Sequence, residues 1–405
     1  MKGLPGHRAT TAHLQVAYPV VAEAGLGGRG VYIGQNLLGG AFVYDPFELY
    51  DQGLLTSPNM LVAGQIGRGK SAFVKSYSLR QRVFGRRIVV LDPKGEYGAF
   101  ARFCGVEPIR LQPGGSVRLN PLDRRIAHDD KLRLLEAVTS SALGRELSPF
   151  EHTALERAFT GLTRTSRRPA TLPDVVDTLL DPSAESAEAV SADRESLLEW
   201  GRPAAYELRR LVSGDLHGMF DGATSGSIDL AASVVVLDLS AVYDSDALGI
   251  LMACAAAWLQ GMLAGDDNTK TIFVLEEAWA VLMRLATALW LQSNFKLARA
   301  RGLQNVAVIH RLSDLAAVGA QGSQQERVAR GLLSDTETAV MYGQPHSEVD
   351  ATRALLGLPH AQALLLPQLE RGVGLWRVGQ RPFLVLHRLG RTELALVDTD
   401  LRMAA

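Results

Sequence analysis

The chain has 405 residues, with 42 Lys and Arg against 43 Asp and Glu and a net charge of -1, which excludes a uniformly basic nucleic-acid coat. Its 47% hydrophobic and 21% charged residues, with 39 Gly and 17 Pro, exclude disordered and collagen-like chains and fit one large domain with an insertion, or two domains. The two cysteines, Cys104 and Cys254, form no Cys-x-x-Cys pair, which excludes a disulfide framework and a structural zinc site and makes a reducing cytoplasm the expected compartment.

The first thirty residues contain His13, Glu23 and Arg29 and no unbroken apolar core, so they do not read as a secretory signal. Gly30 to Tyr50 alternates apolar and polar residues around a Gly-Gly pair, which predicts a β-hairpin at an edge, within an N-terminal segment spanning 1–50. From Asn59 onward short apolar runs alternate with helical stretches: MLVAG, a helix over Lys70 to Val83, then RIVVLD ending at Asp92. Continuous apolar strands joined by helices predict a mostly parallel sheet with helices on both faces, assigned to 51–121 and 225–405.

Between Leu122 and Met219 the strand runs disappear and helical periodicity broken by prolines takes over, predicting an all-α insertion over 122–224. Its basic run Arg164 to Arg168 suits phosphate or a partner, and equally a solvated helix end. The α/β pattern resumes with SVVVLDLS, a helix through Leu263, TIFVLEEAW, a helix through Arg301, NVAVIH and ETAVMYG. It closes on two adjacent strands, GVGLWRVG and RPFLVLHRL. The most apolar stretch, Ala247 to Leu259, is shorter than the ~20 residues of a membrane span and reads as a helix buried against the sheet.

Gly64 to Ser71 reads GQIGRGKS, which fits G-x-x-x-x-G-K-[ST] between a strand and a helix. Its glycines allow the backbone N–H groups of Gly64, Gly67, Arg68, Gly69, Lys70, Ser71 and Ala72 to face phosphate. Lys70 would reach the β and γ phosphates of ATP, and Ser71 would ligand Mg²⁺. The chain has only seven lysines, so a lysine inside a motif carries weight. Hydrolysis also needs carboxylates at a neighbouring strand end, and FVLEEAW supplies them: Glu276 toward Mg²⁺ and Glu277 as the base polarising water. Paired acids after a strand also favour a helix dipole.

The ordered set GQIGRGKS, VVLDPKGEY, FVLEEAW, RARG and NVAVIHRLSDL resembles the HerA/FtsK class of motor ATPases. More narrowly, it resembles the conjugative-transfer ATPases of type IV secretion systems, in an actinobacterial-like version, over about residues 30 to 390. The resemblance implies a RecA-like P-loop core and places Asp92 beside the nucleotide, where it would equally cap the turn of DPKGEY. It also places Arg301 against the γ-phosphate of a neighbouring subunit; Arg299 lies two residues earlier, and either suits a helix end. The family usually has Asp where Glu276 stands, and Gln, sensing the γ-phosphate, where His310 stands. Some members carry an arginine before the P-loop strand, and Thr56 to Met60 has none.

The implied protein is an ATPase motor energising type IV secretion or conjugative transfer, with ATP and Mg²⁺ as cofactors. It would assemble with itself as a ring, a homohexamer, in the cytoplasm or at the inner face of the plasma membrane. Membrane components of the channel are its expected partners, and DNA or protein its cargo. One alternative is a DNA-translocating coupling-type motor, disfavoured by the near-zero charge and the absence of membrane-spanning runs. Another is an ATP-binding scaffold with little hydrolysis, motivated by Glu276 and His310.

Overall fold

A computed structural model describes residues 25–165, 168–214, 216–226, 228, 232–243, 245, 248–263, 269–282, 285–313 and 324–397. The reading of the first residues, apart from the last few before Gly30, therefore lies outside the described residues, as do Ser166 and Arg167 of the basic run. The strands are β1 (Val31–Asn36), β2 (Ala41–Tyr44), β3 (Met60–Ala63), β4 (Arg87–Asp92), β5 (Ile109–Arg110) and β6 (Val234–Asp238), followed by β7 (Thr271–Leu275), β8 (Leu303–Ile309), β9 (Thr338–Met341), β10 (Val373–Val378) and β11 (Arg381–His387). They form one 11-stranded sheet in the order β2-β1-β11-β10-β9-β3-β8-β7-β4-β6-β5. The run from β9 to β5 is parallel, and β10, β11, β1 and β2 continue it antiparallel. This is the α/β sheet of a RecA-like P-loop fold, with the expected hairpin at its outer edge.

The central strands are mostly apolar because both faces are covered. In β3, Leu61 and Ala63 enter one core while Met60 and Val62 enter the other, and Val89 and Leu91 alternate with Ile88 and Val90 in β4 in the same way. The second core is closed by the P-loop helix Lys70–Val83, whose Phe73, Val74 and Tyr77 are buried. Phe73 meets Trp376 of β10 edge-on at 5.2 Å, and Tyr44 of the hairpin meets the same indole at 5.3 Å. Arg80 ties this helix to the edge, pairing with Glu393 at 2.6 Å and donating to the Tyr32 carbonyl at 2.5 Å. Truncating a core phenylalanine costs about 3–5 kcal/mol, so Phe73→Ala would loosen the helix that carries Lys70.

Between β5 and β6 the described residues form the helices His128–Leu143, Pro149–Thr165, Leu172–Leu180, Ala184–Glu188 and Arg194–Val212. Their apolar faces share the first core with the sheet: Leu134 and Val138 join the same cluster as Leu251 of helix Leu248–Leu263 and Leu291 of helix Leu285–Leu297. Among the described residues no helix is long and apolar enough to cross a membrane. Cys104 and Cys254 are free thiols, both buried.

Candidate nucleotide site

The P-loop leaves the carboxyl end of β3, where parallel strands leave room for a ligand. Gly64 has φ +147°, and a Cβ there would lie 2.7 Å from Cβ of Tyr342, so only glycine fits the first turn. Gln65 N–H donates to the Gly343 carbonyl at 3.0 Å and Gly372 N–H to the Arg68 carbonyl at 3.0 Å, which clamp the loop between β9 and β10. Gly69, at φ +111°, then hands the chain to the helix that begins at Lys70, with Ser71 and Ala72 in its first turn. The Lys70 ammonium is buried and rests on the loop's own Gly64 and Gln65 carbonyls, the latter at 3.1 Å. Burial pulls its pKa down to about 8. A desolvated cation held only by neutral carbonyls is a poor resting state and a good phosphate receptor.

Glu276 and Glu277 leave β7 one strand away from the P-loop's neighbour β8, and they diverge. Glu276 is half-buried, and its Oε1 accepts from the Tyr97 hydroxyl at 2.6 Å. Burial, with Asp92 and Glu96 nearby, pushes its carboxyl up to about 7. This excess of desolvated carboxylate suits a divalent cation, and Mg²⁺ commonly takes one or two carboxylates and completes its shell with phosphate and water. The Glu276 carboxylate therefore has the chemistry the expected metal role requires, and Ser71 stands in the first turn of the P-loop helix. The longer glutamate has a partner that an aspartate would not reach, which gives a local reason for the departure at this position. Among the described residues no group of three or more His, Cys, Asp or Glu forms a ready metal cage.

Glu277 has φ +52°, a left-handed conformation that costs a non-glycine residue about 1–3 kcal/mol and tends to occur at working sites. That turn aims its carboxylate at the end of β8, where His310 Nε2 lies 2.6 Å from Oε1. Lys94 Nζ reaches the same oxygen at 2.5 Å, and Trp279 Nε1 donates to Oε2. Burial pushes this carboxyl up, but His310 and Lys94 outweigh it and hold it down at about 2. The structure thus brings Glu277 and His310 together. Asp92 is buried and spends its carboxylate on its own turn, accepting from Lys94 N–H at 3.2 Å and Tyr97 N–H at 2.8 Å. Arg301 ends a short 3₁₀ turn before Gly302, and its guanidinium pairs with Asp130 of the insertion at 2.9 Å. In the basic run, Arg164 pairs with Glu185 and Arg168 with Asp174, each at 2.6 Å.

Sequence reasoning assigned no role to Lys94, Tyr97, Lys75 or Trp279. Lys75 is buried, its ammonium lies 5.0 Å from the Tyr97 ring centroid, and among the described residues it has no hydrogen bond. Burial lowers its pKa. The scarcity of lysine was the available signal: Lys75 and Lys94 both fall inside or beside motifs.

The strand order, the clamped P-loop and the paired glutamates define a RecA-like P-loop NTPase fold. No protein-family model matches the sequence, and no curated protein matches it. Among solved structures the fold is similar to VirB4 of Thermoanaerobacter pseudethanolicus, with a TM-score of 0.76 at 20% identity over 92% of this chain and 100% of that one. It is similar too to the bacterial conjugative coupling protein TrwB in its unbound form (TM-score 0.58, 15% identity, 96% of this chain and 95% of that one). The structure of TrwB in complex with ADP and Mg²⁺ is also similar (TM-score 0.57, 15% identity, 82% and 85%). These likenesses carry no support for an actinobacterial origin.

Proposed function

We propose that this chain is an ATP-hydrolysing motor that energises type IV secretion or conjugative transfer, acting as a homohexameric ring at the inner face of the plasma membrane beside the membrane components of the channel. The observation that carries the reading is a buried Lys70 in a glycine-clamped loop, with Glu276 and Glu277 among the charges that act on it, on a fold similar to VirB4 over 92% of this chain. When bound, ATP with Mg²⁺ supplies the phosphoanhydride and shields its charge. Lys70 exchanges the loop carbonyls for the β and γ phosphates. Ser71 and Glu276 would hold Mg²⁺, with Tyr97 fixing the Glu276 carboxylate. Glu277 takes the proton of the attacking water, His310, with its Nε2 on Oε1, orients that carboxylate toward the γ-phosphate, and Asp92 holds the DPKGEY turn beside them. Arg301 of one subunit serves the site of the next once it leaves Asp130.

The pinned carboxylate of Glu277 favours one second reading, a nucleotide-binding scaffold with slow turnover. A DNA-translocating motor of the coupling-protein kind is the runner-up, on the likeness to TrwB. Turnover measured with and without DNA separates the three. Under the proposal Lys70→Ala loses nucleotide binding, whereas Glu277→Gln keeps ATP bound and loses hydrolysis. Unchanged ATP affinity in Lys70→Ala would overturn the P-loop assignment.

A further inference from the structure

Three donors hold the buried Glu277 carboxylate. Oε1 takes both Lys94 and His310, and Oε2 takes Trp279, with the side chain only 4% exposed. Oε1 has no acceptor site left for a water, and an oxygen engaged by an ammonium is a poor proton acceptor, so one of its two contacts must open before Oε1 can act as the base. Lys94 is the contact able to move. His310 follows directly on the buried strand β8, and Trp279 lies two residues from Glu277. Lys94 instead sits on the short turn between Asp92 and Tyr97, its side chain 28% exposed.

Lys94 also has somewhere to go. It lines a pocket of about 280 Å³ at the carboxyl ends of β4, β5 and β6, together with Asp238, Ser240 and Arg110. Its ammonium is already 5.7 Å from the Tyr243 ring centroid, within cation–π range.

We infer that Lys94 is a catch on Glu277. In the nucleotide-free chain it holds the base closed, and the γ-phosphate of ATP draws its ammonium off, so that Glu277 is released only when a γ-phosphate is present. The inference rests on the ATPase reading above. Lys94 Nζ also lies 3.1 Å from His310 Nε2 at the carboxyl end of β8, the strand that pairs with the P-loop strand β3, which puts the ion pair at the sheet end where the P-loop would hold the γ-phosphate. ADP, lacking that phosphate, leaves the catch shut.

The Trp279 indole reports the state of Glu277 because it donates to Oε2 of that carboxylate, the oxygen that Lys94 does not touch. The full chain is labelled with 5-fluorotryptophan. Its ¹⁹F resonance for Trp279 is assigned by its loss in Trp279→Phe, and nucleotide binding is measured separately by calorimetry. In the parent chain, Mg²⁺ with a non-hydrolysable ATP analogue is expected to shift this resonance, and Mg²⁺ with ADP to leave it in place. In Lys94→Met the resonance is expected to be displaced already without nucleotide and to respond to neither, while the other tryptophan resonances and an ADP affinity within about twofold of the parent show an intact fold. Lys94→Arg, which keeps a cation in reach, should restore the response to the analogue.

If both nucleotides bind but shift the parent resonance alike, or if Lys94→Met behaves as the parent does, the catch is refuted and the P-loop reading stands. If neither nucleotide binds the parent, the ATPase reading falls and the catch with it. Should Lys94→Met fail to fold, the comparison of analogue and ADP in the parent chain decides alone.

Discussion

Asp130→Asn tests whether Arg301 works across a subunit boundary. The guanidinium is held by Asp130 at 2.9 Å, the two side chains are 19% and 29% exposed, and Arg133 flanks the same carboxylate at 3.8 Å. An arginine held this way is not free to serve a neighbour, so the insertion restrains it. Asparagine keeps the shape and one acceptor but removes the charge. The guanidinium stays charged and keeps a charge-assisted hydrogen bond, so what is lost is the ion-pair contribution, at most about 1 kcal/mol for a partly exposed pair. The substitution therefore weakens the restraint by about 1 kcal/mol, or about fivefold in the population of released arginine. Steady-state ATP hydrolysis is measured over a range of protein concentrations, with assembly followed by light scattering. Assembled Asp130→Asn should turn over up to about fivefold faster than the parent at unchanged ATP affinity. Arg301→Ala should lose about a thousandfold in rate with little change in affinity, and mixing it with Lys70→Ala in shared rings should recover part of the activity. If Asp130→Asn slows turnover as Arg301→Ala does, the pair is a structural tie between insertion and core, and the cross-boundary role is wrong.

Glu276→Asp withdraws the carboxylate from Tyr97 by about one bond length. It should lower the melting temperature of the nucleotide-free chain, as should Tyr97→Phe, and the double variant should be less destabilised than the sum of the two; full additivity would show that the 2.6 Å bond contributes nothing. Glu151, buried at the start of helix Pro149–Thr165, is lowered from 4.5 to about 2, first by its hydrogen bond to Arg145 and also by Ser148. A carboxyl with a depressed folded-state pKa contributes stability that is full above its unfolded value and lost as pH falls through the folded one. The insertion should therefore loosen between pH about 4.5 and about 2, and Glu151→Gln should flatten that dependence in an acid titration of thermal stability. An equally steep profile in the variant would contradict the assignment. Because Arg145 is half exposed, salt should weaken this effect.

Much of the parallel core was legible in the chain because a strand covered on both faces is apolar over most of its length. Met60–Ala63, Arg87–Asp92 and Thr271–Leu275 announce themselves without reference to their neighbours. The P-loop was legible for the same local reason, since a backbone that must curl around phosphate needs glycines at fixed spacing. Ile109–Arg110 was not legible, because two residues make no pattern; it is a strand only because β6 pairs with it. Nor could the chain show that its N-terminal hairpin pairs with β11, near the other terminus. The same limit applies to the site. Glu276 and Glu277 stand side by side in sequence, and only the positive φ of Glu277 sends one to Tyr97 and the other to His310 and Lys94. Lys94 and His310 are 216 positions apart, and Tyr97 and Glu276 179. Periodicity and motif spacing report which residues are buried and which turns are tight. Which side chains meet at the carboxyl ends of the strands is settled by strand order, a property of the whole sheet that no local stretch of sequence contains.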